Sequence, residues 1–196
     1  MPDQSALSDL QSSTAAALQS DSNRIVDFFF SLSESATTKD AMDSSLVKLT
    51  VQGVWTDASP NAESQVVLLQ DEAKTSVLPI WVGTAEGTAI RMALEGIAPP
   101  RPLSHDLLRN ITEHLGLKVA KVVVTDVKSN TYYASIFLAG KQSEVTVDSR
   151  PSDAIALALR TNSPIFATRD VLERQSPETV DPWLKNLDTK GLGGVA

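Results

Sequence analysis

The strongest constraint on the fold of this 196-residue chain is a pattern that occurs twice. Apolar and polar residues form strand-like runs over 46–55, 65–70 and 76–82. The third run leads into apolar positions 85, 89, 90, 93, 94 and 97, which follow the 3.6-residue period of a helix. The same order returns over 118–127, 131–139 and 143–147, followed by a helix from about 151 to 160. An offset of 65 lays Ala89-Ile90-Arg91-Met92-Ala93-Leu94 on Ala154-Ile155-Ala156-Leu157-Ala158-Leu159, Val82 on Val147 and Pro99 on Pro164. Strand-rich runs that end in helices predict an α+β fold rather than regular βαβ alternation. The sheet is expected to be mixed or antiparallel, with a duplicated three-strand-plus-helix unit.

Proline, glycine and capping residues punctuate these runs. Pro79 marks its strand as an edge or irregular one, because proline cannot donate to a sheet ladder. Gly96 stops the first helix, and Ala98-Pro99-Pro100-Arg101-Pro102 excludes helix. A further helix fits 104–115, with Ser104 as N-cap, Asp106 in the first turn and Gly116 as the stop. It carries Leu107, Leu108, Ile111 and Leu115 on one face. Ile165-Phe166 adds a short strand, and 170–174 a helical turn.

Composition separates a tail from this body. Residues 1–45 hold seven acids against Arg24 and Lys39, hence −5 of the total charge of −7, and are rich in serine. They are expected to be a disordered tail, with the domain over 46–175 and a partly flexible C-terminal extension over 176–196. The tail has the pattern of neither a secretory signal nor a transit peptide, which points to the cytoplasm. No run approaches the roughly 20 apolar residues of a membrane span, so no membrane partner is expected. The absence of cysteine excludes disulfides, thiolate zinc sites and a cysteine nucleophile. Net acidity argues against a general basic surface for nucleic acid, so any polyanion must meet a local patch.

Two short segments concentrate polar groups at helix N-termini. They are Arg101-Pro102-Leu103-Ser104-His105-Asp106 and Asp148-Ser149-Arg150-Pro151-Ser152-Asp153. Each joins a guanidinium, a backbone-fixing proline, hydroxyls and carboxylates to a helix start, a combination suited to phosphate. Carboxylates there could also hold a divalent cation. The bland reading is caps, a first-turn proline, acids favoured by the helix dipole and an Arg150–Asp148 pair. The two histidines, His105 and His114, stand nine positions apart on one helix, about 180° around it, and cannot share a metal.

The chain resembles the bifunctional nuclease family, small bacterial and plant domains associated with hydrolysis of both DNA and RNA. The matching stretches are 77–83, 93–96, 100–108, 122–126 and above all Asp148-Ser-Arg-Pro-Ser-Asp-Ala-Ile-Ala-Leu-Ala158, within a coverage of about 48–174. The resemblance implies an α+β domain and nuclease activity on DNA and RNA. It brings no settled set of catalytic residues.

The roles expected here therefore come from chemistry. A general base supplies about 10²–10⁴-fold, too little alone for phosphodiester cleavage, so charge stabilisation must supply the rest. The expected catalytic residues are His105, Asp106, Asp148 and Asp153, and the expected phosphate ligands Arg101, Arg150 and Ser152. Asp148, Asp153 and Glu86 are the expected ligands of Mg²⁺ or Mn²⁺. Two rival readings stand beside this one: a non-enzymatic module that binds a phosphorylated ligand or has a regulatory role, and a structural homo-oligomer paired through exposed strands.

Overall fold

The computed structural model describes residues 45–56, 64–141 and 144–175. The disordered tail expected over 1–45 lies outside them but for Ser45, as does the flexible extension expected over 176–196. Seven strands form one mixed sheet: β1 (Leu46–Thr56), β2 (Ser64–Asp71), β3 (Val77–Gly83), β4 (Lys118–Lys128), β5 (Thr131–Ala139), β6 (Glu144–Ser149) and β7 (Ile165–Thr168). The helices are α1 (Thr84–Leu94), α2 (Ser104–His114), α3 (Pro151–Thr161) and α4 (Arg169–Glu173).

The strand order is β3-β2-β1-β7-β4-β5-β6. Thus β1-β2-β3 and β4-β5-β6 are antiparallel meanders on opposite sides of β7, each leading into a helix, as the repeated sequence pattern predicts. The central β7 runs antiparallel to β1 and parallel to β4, which makes the sheet mixed. Pro79 lies on β3, an edge strand, where a missing donor costs no ladder bond on the outer side. The β4–β5 hairpin turns through Ser129 and Asn130, both left-handed (φ 48° and 63°), the backbone that two-residue hairpins favour. Gly96 and Gly116 adopt the positive φ expected where α1 and α2 end.

The core lies between α1, α3 and one sheet face. Ile90 and Ile155 meet Val67, Leu69, Leu78, Val122 and Val124 there. Val66 and Val123, which alternate with them, are buried as well, so β2 and β4 are covered on both faces. Among the described residues no helix is long and apolar enough to cross a membrane.

One expectation about α2 needs correction. Ser104 is its first helical residue rather than its N-cap; Leu103 precedes it in extended conformation, and the Leu103 amide donates to Asp106 Oδ2 at 2.9 Å. The apolar face also exists but turns outward, for Leu107, Leu108, Ile111 and Leu115 are all exposed. The opposite face, with His105, Asp106, Arg109 and Thr112, turns inward because α3 offers it charged and carbonyl partners.

Gly87 lies where α1 crosses β2, and a Cβ there would overlap Oε1 of the buried Gln65. Gly→Ala inside a helix ordinarily gains up to about 1 kcal/mol. Here the sign should reverse: Gly87→Ala is expected to lose about 1–3 kcal/mol by overpacking, read from urea denaturation. A more stable variant would show that Gln65 swings aside freely.

Candidate functional site

The two meanders deliver their helices side by side, and this brings three charged side chains together. Glu86 and Asp153 are each the third residue of their helices, α1 and α3. A carboxylate is favoured there by the exposed amides of the first turn. Arg150, the residue before α3, reaches both. Its Nε and Nη2 donate to Asp153 Oδ2 and Oδ1 at 2.7 and 3.1 Å, and its Nη1 donates to Glu86 Oε1 at 2.9 Å. Gly83 makes room for this, because Glu86 Oε2 stands 2.5 Å from where a Cβ at that position would be.

Behind Arg150 lies His105. Its Nε2 is 3.1 Å from Asp153 Oδ1, and since an ionised carboxylate only accepts, Nε2 carries the hydrogen. His105 is 9% exposed, whereas the Arg150 side chain is 64% exposed. The order from inside to outside is therefore His105, Asp153, Arg150. Burial works to raise the Asp153 pKa, but hydrogen bonds from Arg150 and His105 and their charges outweigh it and hold the carboxyl below its ordinary value. Two carboxylates around one guanidinium raise the pKa of Arg150 further.

Glu86 and Arg150 line an open cleft of about 290 Å³. Its remaining walls come from Trp81 and its neighbours on β3, from Asn130, Thr131 and Tyr132 at the β4–β5 turn, and from Pro151 and Ser152. Arg150 has five N–H donors and uses three on carboxylates, so one on each terminal nitrogen remains. An exposed guanidinium oriented in this way can receive an anion.

The expected site residues separate into those the fold gathers and those it does not. Arg150, Ser152 and Glu86 line the cleft, and Asp153 with His105 forms the layer behind it. Asp106 is engaged elsewhere: Oδ2 accepts from Leu103 N, and Oδ1 accepts from Arg160 Nε at 2.9 Å. Asp148 is exposed on β6, opposite Ser135, and Arg150 pairs with Asp153 and Glu86 rather than with it. Arg101 is exposed in the loop before α2 and does not line this cleft. Among the described residues no three His, Asp or Glu side chains are grouped to hold a metal ion. The two carboxylates that could do so already flank Arg150, which stands where a bridging cation would. The expected Mg²⁺ or Mn²⁺ thus does not fit this donor set as arranged.

Two residues of consequence carry no motif. Trp81 is the exposed position between buried Ile80 and Val82, an alternation that the uninterrupted apolar run over 77–82 does not reveal. Arg160 sits in a helix whose face is otherwise apolar, and such a lone cation on a buried face was the only signal for it.

Residues 67–179 match the bifunctional nuclease domain. An uncharacterized protein of Mycobacterium tuberculosis is 40% identical over 111 residues, 56% of this chain and 66% of that protein. Bifunctional nuclease 1 of Oryza sativa subsp. japonica is 30% identical over 129 residues, 64% of this chain and 38% of the rice protein. Bifunctional nuclease 2 of Arabidopsis thaliana is 30% identical over 135 residues, 67% of this chain and 41% of the Arabidopsis protein. The matched segment thus spans about two thirds of the mycobacterial relative and about 40% of the plant ones.

Two stability measurements test these placements. Asp106→Ala leaves the Arg160 side chain, 6% exposed, without its carboxylate, and should cost about 3 kcal/mol in urea denaturation. An unaffected midpoint would show that the pair holds nothing together. Asp153 is held below its ordinary pKa when folded, so its contribution is complete above about pH 4 and disappears as pH falls through the folded value. Asp153→Asn should therefore be less stable than the natural chain at pH 7 and lose less on acidification to pH 3. Equal losses would place the acid sensitivity at other carboxylates.

Proposed function

The chain belongs to the bifunctional nuclease domain family, and on that premise we propose that it hydrolyses phosphodiester bonds of DNA and RNA at the Arg150 cleft. The observation that supports this reading most is Arg150 itself, exposed at a cleft and oriented by one carboxylate from each half of the chain. A non-bridging phosphate oxygen pair accepts from the two remaining N–H groups, as a planar guanidinium favours. Glu86 faces the same cleft and takes a proton from the attacking water. The water oxygen bonds to phosphorus, the P–O bond to the leaving oxygen breaks, and that oxygen is protonated by solvent. Asp153 holds Arg150, and His105 holds Asp153, so both are positioning residues.

Most of the barrier reduction then comes from Arg150 charge stabilisation, with Glu86 contributing as base. The phosphate-binding module without catalysis draws support from one feature: Glu86 at the cleft and Asp153 behind it are both already compensated by Arg150. Assays on single-stranded RNA and DNA with preparations free of contaminating nuclease separate the two readings. Arg150→Lys retains the charge between the carboxylates but loses the fork, and should lower kcat/KM by about 10²-fold with little change in melting temperature. Glu86→Gln should lower kcat by a similar factor. Full activity in both variants would sink this site. Removal of divalent ions with EDTA and their stepwise return reads whether a cation enters by displacing Arg150.

A further inference from the structure

We propose that a second cavity, between the end of α1 and α2, binds a small organic anion, with its carboxylate or phosphate on Arg109 and its apolar body against the proline-rich loop. The cavity has a volume of about 330 Å³ and shares no lining residue with the Arg150 cleft. A ligand here is therefore separate from whatever the Arg150 cleft takes. Its apolar wall is formed by Met92 of α1 and by Ile97, Pro99 and Pro102 of the loop. Ile97 is 50% exposed, an apolar side chain left at this wall rather than in the core. Prolines fix their own φ and offer no N–H, so the wall is stiff and supplies no donor at Pro99 or Pro102. Its stiffness lowers the ordering cost of binding.

The charged residues come from α2 and α3. Asp106, Arg109 and Arg160 set two guanidinium groups against one carboxylate. Arg160 is committed to the interior, since Nε donates to Asp106 Oδ1 at 2.9 Å and Nη1 and Nη2 donate to backbone carbonyls at 2.9 and 3.0 Å. That pair cancels, and Arg109 remains as the net positive charge of the cavity. Its contacts with the described residues are long. Nη1 is 3.5 Å from the Arg160 carbonyl oxygen and Nη2 is 3.4 Å from Asn110 Oδ1, at the limit of hydrogen bonding. Nε is buried without a hydrogen-bond partner, and Glu113 comes only to 4.0 Å from it. Glu113 is 61% exposed and follows the arginine by four positions, the weaker order for such a pair. One N–H on each terminal nitrogen is left over, so Arg109 gains from an anion that accepts two short bonds. A cation would be repelled by the net charge. The volume lies at the lower end of small-molecule pockets, which suits an anion carried on a single ring.

The test titrates the isotope-labelled full chain with phenyl phosphate, benzoate, inorganic phosphate and phenol, and follows backbone amides by NMR. Phenyl phosphate should shift Gly96, Ile97 and Asn110, which line this cavity, whether or not it also shifts Gly83 and Ser152 at the Arg150 cleft. Phenol lacks the charge and inorganic phosphate the apolar body, so each should bind here at least about 10-fold more weakly. Benzoate distinguishes the two anions: affinity equal to that of phenyl phosphate assigns the cavity to organic anions in general, and weaker affinity assigns it to phosphate monoesters. Arg109→Gln should weaken phenyl phosphate by roughly 10- to 150-fold, the effect of losing a charged hydrogen-bond partner. Ile97→Asp, at an exposed position outside the core, should also weaken it by placing a repelling carboxylate at the wall. Arg150→Lys should leave the response of Ile97 and Asn110 unchanged. Shifts confined to Gly83 and Ser152, or binding at Ile97 and Asn110 that survives both Arg109→Gln and Ile97→Asp, would overturn the anion site. Equal affinity for phenyl phosphate and inorganic phosphate would overturn the role of the apolar wall, and with it the organic ligand.

Discussion

Three helices meet on one buried guanidinium. Arg160 of α3 donates through Nε to Asp106 of α2, through Nη2 to the Ala89 carbonyl of α1 and through Nη1 to Ala156 of its own helix. Such a charge is tolerated in the interior because every terminal nitrogen and Nε finds an acceptor; deprived of them it would be among the most costly groups in the molecule. Asp106 is in turn held by the Leu103 amide, and its carboxyl stays below the ordinary range because those bonds and Arg160 outweigh its burial. The relative placement of α1, α2 and α3 follows from this node, and the positions of Glu86, His105 and Asp153 follow from the helices.

The sheet supplies the other half of the constraint. With only four residues, β7 joins both meanders, and Ile165 and Ala167 are buried in the common core. Its pairing places β1 and β4 on either side, so that the helices following β3 and β6 converge over one face. The outcome is a cluster whose members come from two halves of the chain: Arg150 and Glu86 are 64 positions apart, His105 and Asp153 are 48.

An inward polar face on α2 has a consequence for the surface. Once His105, Asp106 and Arg109 are committed to α3, the leucines and isoleucine of the same helix have no place but outside. Hydrophobic periodicity reports that a helix is two-sided; which side faces inward depends on what the neighbouring element presents. On α3 the apolar side faces the sheet, and on α2 the polar side faces α3.

The sequence by itself determined what depends on near neighbours. Strand and helix periods, Pro79 on an edge, Pro151 opening α3, Gly96 and Gly116 ending helices, and the duplicated order of elements all act over a few residues, where backbone sterics and side-chain spacing suffice. The family was legible too, because Asp148 to Ala158 is one uninterrupted run. Only the tertiary structure decided which charges meet. Arg150 and Asp148 are near in sequence, yet Asp148 remains exposed on β6 while Arg150 turns to Asp153 and, across the helix pair, to Glu86. Both Arg101 and Arg150 precede helices with prolines beside them, yet only Arg150 lies in the cleft with Glu86. Ion pairing is set by distances through space, and these are fixed by strand order and helix packing rather than by any local pattern.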